Sequence, residues 1–232
     1  MDLVWQGIAE AFRLLLAGDP EVIRITVLTL KVSGTATLIS LCIGIPLGAL
    51  LALSRFPGRK FFMSLVNMGM GLPPVVAGLW ITIFLWRNGP LGFFNLMYTP
   101  AAMIIAQAVI ASPIITGISA AAFQQVSGKL RLQIMALGAT RWQYVLLLVK
   151  EVRLSLLAAV MAGFGGVISE VGASTMVGQN VLGRTRVLTT ATVMEVSKGN
   201  FDIAIALSVI LMVLAYGVTL TLTLAQQRGN RS

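Results

Sequence analysis

Long apolar runs alternate with short polar stretches along the whole chain. Five of them, at 25–53, 66–86, 98–122, 154–173 and 201–225, are near or above the roughly 20 helical residues that cross a bilayer. None shows the strict alternation of a transmembrane barrel strand. The pattern predicts an all-α, polytopic membrane protein with about five core transmembrane helices. Prolines and glycines interrupt several runs. Gly44, Pro46 and Gly48 fall in the first, Pro73 and Pro74 in the second, and Pro113 in the third, so tilts or kinks are expected there.

The segment 1–20 differs from these runs. Asp2, Glu10 and Arg13 interrupt its apolar positions, which argues against a cleaved leader. It predicts an N-terminal interfacial helix with Trp5 as anchor, broken at Asp19-Pro20. The transmembrane domain then occupies 21–225, with a cytoplasmic loop at about 123–150, and a tail covers 226–232.

Basic residues set the orientation. The stretches after the first and third runs and the C-terminal tail hold ten Lys and Arg residues, against six on the other side. The rule that cytoplasmic loops are enriched in Lys and Arg places the N-terminus outside and the C-terminus inside. The chain is 57% hydrophobic and 11% charged, where a soluble domain would be about one quarter charged. Its net charge of +9 follows membrane topology and implies no nucleic-acid partner.

The polar inventory restricts the chemistry. There is no histidine, and the single cysteine, Cys42, lies inside an apolar run. No nucleophile–base pair or metal-ligand set suggests catalysis, and no Gly-x-x-x-x-Gly-Lys-Ser/Thr stretch could cradle ATP phosphates. The expectation is a non-enzyme with no catalytic residue, no metal and no cofactor of its own.

Several intramembrane features leave two readings open. Small residues recur at spacing four (Gly44 with Gly48, Ala158 with Ala162, Ala162 with Gly166, Ser169 with Ala173). Such pairs pack helices closely or let them slide. Pro73 and Pro74 remove backbone donors in mid-span, either as an ordinary kink or at a translocation path where irregular backbone is tolerated. Glu170, with Gly172 and Ser174 in "GVISEVGAST", is either a structural carboxylate or part of the path. Arg184 and Arg186 on the outer side either face solvent or attract an anion or an acidic protein surface.

The loop 123–150 is too long for a simple hairpin between helices. It holds few helix breakers, with Gly138 in its middle. A short helix, a glycine turn and a second helix would project a knob from the membrane. Arg141, Trp142 and Tyr144 are residue types that anchor interfaces. From the residues alone, such a knob either docks a motor protein or rests on the membrane surface.

"ALGATRWQYV" resembles the coupling-loop signature of ABC importer permeases, in which an acidic-Ala-Ala triplet precedes a glycine. Ala136 belongs to this stretch, Gly138 matches the glycine, and Ala139, Thr140, Arg141, Trp142 and Gln143 follow it as is common there. The triplet is replaced by Leu132-Gln133-Ile134, and the usual closing Leu-Pro by Lys150-Glu151. "TLKVSGTATLISLCIGIPLGALLALSRFPGRK", "GLPPVVAGLW" and "SEVGASTMVGQN" are similar to segments of molybdate, tungstate and sulfate permeases, and the last third is most similar to tungstate permeases. The resemblance implies the type I permease fold and a prokaryotic cytoplasmic membrane location. It implies a permease homodimer, two copies of an ABC ATPase subunit that bind ATP and Mg, and an extracytoplasmic oxyanion-binding protein. Ala136, Gly138, Ala139, Thr140, Arg141, Trp142 and Tyr144 would couple to the ATPase, and Pro73, Pro74, Glu170, Gly172 and Ser174 would shape the path or gate. The rival classes are an ATPase-independent secondary transporter and a membrane scaffold.

Overall fold

The computed structural model describes residues 2–229 and is helical throughout its regular elements. Residues 230–232 of the tail, including Arg231, lie outside the described residues. The helices are α1 (Asp2–Ala17), α2 (Pro20–Leu53), α3 (Arg59–Met70), α4 (Pro74–Leu85), α5 (Pro100–Gln125), α6 (Gly128–Ala136), α7 (Arg141–Glu151), α8 (Arg153–Ile168), α9 (Gly172–Gly178), α10 (Leu188–Lys198) and α11 (Phe201–Gly229).

Three helices, α2, α5 and α11, are each long and apolar enough to cross a membrane. The number rises to five when α3 with α4 and α8 with α9 each form one broken span. The second and fourth runs are therefore not single helices. The first of these pairs bends by 105° and the second by 56°. The 34 residues of α2 give about 51 Å of helix, well over the roughly 30 Å hydrocarbon thickness.

Helix starts follow local chemistry. The Asp19 carboxylate accepts the N–H groups of Glu21 and Val22 at 2.9 Å each, and Pro20 takes the first turn of α2 where its missing donor is harmless. Thr99 and Pro100 open α5 in the same way.

The body is built on α5. Half of its most apolar window is buried, against 22% for α11. The small residues of α2 let it lie close on α5. A Cβ on Gly44 would meet Ile115 Cγ2 at 2.8 Å, and one on Gly48 would meet the Thr116 carbonyl oxygen at 2.8 Å. The Ser40 hydroxyl donates across this contact to the Ala108 carbonyl at 3.1 Å. Glycine packing is thus the role of the first small-residue pair. On the other flank, Gly163 of α8 sits over Ile115. The spacing of Ser169 and Ala173 does not make a shared helix face, because α8 ends before α9 begins and leaves Ser169 exposed while Ala173 is buried.

At the end of the bundle where α2 begins, α1 packs along α11. Gly7 fits against Ile205, and Ala11 joins a cluster with Val22, Ile25, Leu188, Ala206 and Ile210. The opposite face of α1 leaves Trp5 exposed. The connection after the fourth run is more ordered than a solvated loop. It contains α10, and its carbonyls and hydroxyls are tied down. The Thr185 hydroxyl donates to the Gly178 carbonyl at 2.6 Å, and the Leu188 N–H donates to Thr29 Oγ1 at 2.9 Å. Arg186 pairs with Glu21 at 3.0 Å and is largely covered, whereas Arg184 is exposed.

Candidate functional site

Two regions gather the residues singled out by the sequence. The first is the pair of helix breaks. Gly71 closes α3, Pro73 stands before α4 and Pro74 occupies its first turn. The two prolines therefore begin a helix rather than interrupt one. Their missing N–H groups fall where no intrahelical partner is needed, and the Pro73 carbonyl accepts from Val76 at 2.9 Å. The interruption expected in mid-span is therefore a break between two helices rather than a kink within one. The chain turns through 105° between two short helices.

The other break, Ser169–Val171, lies against this one. A Cβ on Gly172 would meet Val75 Cγ2 at 2.5 Å. One turn along, a Cβ on Gly78 would meet the Ala173 Cα at 2.6 Å and Met176 Cβ at 3.1 Å. At Gly78 the nearest atom is backbone, so a side chain larger than hydrogen there would force α4 and α9 apart, whereas at Gly172 the obstacle is the Val75 side chain. Val75, the residue after Pro74, is thereby brought against Gly172.

Glu170 lies in the second break, buried. Its Oε1 accepts the Ala173 N–H at 2.8 Å, so the carboxylate caps α9, and its backbone carbonyl accepts from the Thr189 hydroxyl at 3.1 Å. Ser174 is fully buried and accepts from Gln107 Nε2 at 2.9 Å. Both side chains hold the break together, and neither reaches the open surface. The segment is fixed further where the Tyr98 N–H donates to the Val177 carbonyl at 3.0 Å.

Gln107 and Thr189 were not singled out by the sequence reading. The signal for Gln107 was available, as a lone amide within "AMIIAQAVIA", because a polar side chain in a membrane helix requires a partner. Thr189 carried no such signal, since nothing in the sequence shows that α10 folds back on the break.

The second region is an elbow at the opposite end of the molecule. Ser127 caps α6, and α6 ends at Leu137. Gly138 adopts φ +76, the left-handed conformation that closes a helix at low cost only for glycine. Thr140 then opens α7 with a reciprocal capping box. Its hydroxyl accepts the Gln143 N–H, and Gln143 Oε1 accepts the Thr140 N–H at 2.9 Å. Helix α7 passes into α8 through Val152 alone, whose N–H still donates to Leu148 at 3.0 Å.

The elbow is seated on the ends of α2 and α5. Ile134, Leu148 and Val152 pack with Ala49, Phe123 and Val126, and Ala139 and Tyr144 lie against this cluster. The anchor types thus divide. Tyr144 faces inward, while Ala136, Gly138, Thr140, Arg141 and Trp142 are exposed. Leu132, Met135 and Leu137 are further exposed apolar residues of the elbow besides Trp142, with Leu137 88% exposed. Leu132 is part of the stretch that replaces the acidic-Ala-Ala triplet, while Met135 and Leu137 carry no signal in the sequence because apolar residues are common throughout it.

Comparisons with known proteins agree with this architecture. The family model described as "Binding-protein-dependent transport system inner membrane component" matches residues 44–228. The chain is 37% identical to the tungstate uptake system permease protein TupB of Peptoclostridium acidaminophilum, covering 94% of this chain and 96% of the relative. It is 39% identical to a probable anion ABC transporter permease protein of Haloferax volcanii, over 84% and 87% of the two chains. Among solved structures, an inward-facing form of the MetNI methionine ABC transporter shares the fold with a TM-score of 0.76 at 22% identity, covering 90% of this chain and 96% of that one.

Proposed function

Since the chain belongs to the family of binding-protein-dependent transport system inner membrane components, we propose that it is the membrane-spanning permease of an ATP-driven importer for tungstate. Two copies pair around the path. Each carries one ATPase subunit on its elbow, and an extracytoplasmic binding protein delivers the anion from the other face. ATP and Mg are bound by the ATPase, not by this chain. The substrate assignment is supported by the relative from Peptoclostridium acidaminophilum, named for tungstate uptake.

The observation that carries the mechanism is the short connection from elbow to break, two helices joined by a single residue. Exposed Leu132, Met135, Leu137 and Trp142 offer a docking surface of apolar and aromatic anchors. A push there is transmitted through α7 into α8 with only Val152 between them. The far end of α8 is the Ser169–Val171 break, where Glu170 fixes α9 and α9 is interlocked with α4. In this lever the paired short helices α4 and α9 swing as one piece and open the path to either face. The anion travels between the two copies and avoids the cost of charge in hydrocarbon.

The test is tungstate uptake in proteoliposomes holding this chain, its ATPase and its binding protein. Uptake requires all three proteins, and competition with molybdate and sulfate ranks the substrates. Uptake that persists without the ATPase refutes the proposal in favour of a secondary transporter.

A further inference from the structure

We propose that the basic end of the chain carries a binding site for a tetrahedral oxyanion group, formed by one face of α3 and the last turn of α5. A cavity of about 380 Å³ is lined there by Arg59, Lys60, Met63, Ser64, Asn67 and Gln124. The α3 residues recur at one-turn and two-turn intervals and so form one face of that helix. Gln124 faces them from the end of α5, just before the chain enters the elbow.

Charge and donors both fit an anion. The Arg59 Nε donates to the Leu51 carbonyl, which fixes the guanidinium plane while its terminal nitrogens remain available. Among the described residues neither Arg59 nor Lys60 forms an ion pair with a carboxylate. Arg186, which lines two of the outer cavities, is by contrast paired with Glu21 at 3.0 Å. Ser64, Asn67 and Gln124 supply neutral donors around the cationic pair, a combination suited to several oxygens on one centre. The site lies on the same side as the elbow, so on the transport reading it faces the cytoplasm.

Two sources present this chemistry: a free dianion of the tungstate class leaving the path, and the phosphate of an anionic lipid headgroup. Basic pockets between helices on the cytoplasmic side are suited to the latter. The free-anion source rests on the proposed transport function, and the lipid source does not. In either case the ligand bridges α3 to the end of α5, and the elbow begins at Gly128, with two residues between it and Gln125. Occupancy is therefore placed to respond to movement of the elbow.

The experiment uses the permease with its ATPase in nanodiscs of phosphatidylcholine, without the binding protein. One arm titrates tungstate by equilibrium dialysis at low salt. The other adds phosphatidylglycerol and measures retained lipid by native mass spectrometry. Wild type is compared with Lys60→Glu, with Asn67→Ala, and with Lys129→Glu as a charge change of the same sign outside the cavity. Saturable tungstate binding, weakened about tenfold by Lys60→Glu as for loss of a charge-assisted hydrogen bond and untouched by Lys129→Glu, supports the site with the free anion as ligand. Lipid retention lost in Lys60→Glu alone, with no tungstate bound, supports it with lipid phosphate as ligand. Equal weakening by the two charge changes, or no binding of either ligand to wild type, overturns it. Asn67→Ala leaves the charge intact, so a loss in this variant identifies directed donors rather than general attraction. Failure of the site with ATP-driven uptake intact leaves the transport function standing. Failure of uptake leaves the lipid arm to decide the site.

Discussion

Adding one methyl group at Gly78 tests whether the two broken spans are interlocked. A Cβ at this position would lie 2.6 Å from the Ala173 Cα, 3.1 Å from its Cβ and 3.1 Å from Met176 Cβ. The nearest atom is backbone, so no rotamer change relieves the overlap. Helix α9 has to move away from α4. Overpacking of this kind costs about 1–3 kcal/mol, while replacing glycine by alanine in a helix returns about 1 kcal/mol. Gly217→Ala on α11 isolates the second effect, because nothing lies within 4 Å of a Cβ there. Thermal unfolding of the purified complex then separates the two substitutions, with Gly78→Ala about 1–3 kcal/mol less stable than Gly217→Ala by the overpacking difference. Transport falls in Gly78→Ala and not in the control. Ala173→Gly does not restore it, since the Cα remains in place. If Gly78→Ala unfolds together with Gly217→Ala and transports as wild type, α4 and α9 are not in tight contact and the lever is wrong.

Three further outcomes follow from single side chains. Glu170→Ala removes the cap on the Ala173 N–H and destabilises the protein by about 1 kcal/mol; Glu170→Gln keeps an acceptor and is milder in thermal unfolding, whereas loss of uptake in Glu170→Gln at full stability would show that the charge itself is used. At Gly138, φ +76 with open space around it makes backbone conformation the sole obstacle, so Gly138→Asn retains more uptake per ATP hydrolysed than Gly138→Val, and equal coupling in the two variants would refute the role of the turn. The Lys198 and Asn200 side chains, at 2.8 and 2.7 Å, hold the Glu195 carboxyl below its ordinary value of 4.5; the folded value being the lower one, this stabilisation is full above 4.5 and is lost as pH falls through the folded value. Stability measured against pH therefore has a shallower acid limb in Glu195→Gln, and parallel curves would exclude the contribution.

The apolar runs made the helical membrane fold legible because bilayer thickness imposes a length on each of them. Gly138 was legible for a similar reason, since a glycine between two helix-compatible stretches marks a turn. The paired breaks were only half visible. Pro73 and Pro74 announced an interruption, but whether a proline kinks one helix or starts another depends on the residues before it, and here Gly71 closes α3 first. The break at Ser169–Val171 has no proline, and the apolar run 154–173 passes through it without a mark. It is fixed instead by contacts from distant segments, Thr189 on the Glu170 carbonyl and Gln107 on Ser174. The division of the elbow was hidden for the same reason. Tyr144 and Trp142 are alike in sequence terms, and only the ends of α2 and α5 decide that one is covered and the other exposed.

The most direct test of the lever is to tie the two breaks together and ask whether transport survives. Val75 and Gly172 are adjacent, with the Val75 Cα 3.6 Å from a Cβ built on Gly172. In a Cys42→Ser background, Val75→Cys with Gly172→Cys is oxidised, the bridged fraction is counted by mass spectrometry, and ATP-driven tungstate uptake is measured before and after. If α4 and α9 move as one piece, uptake continues with the bridge closed. Uptake that stops on oxidation and returns on reduction would show that the two breaks separate during the cycle.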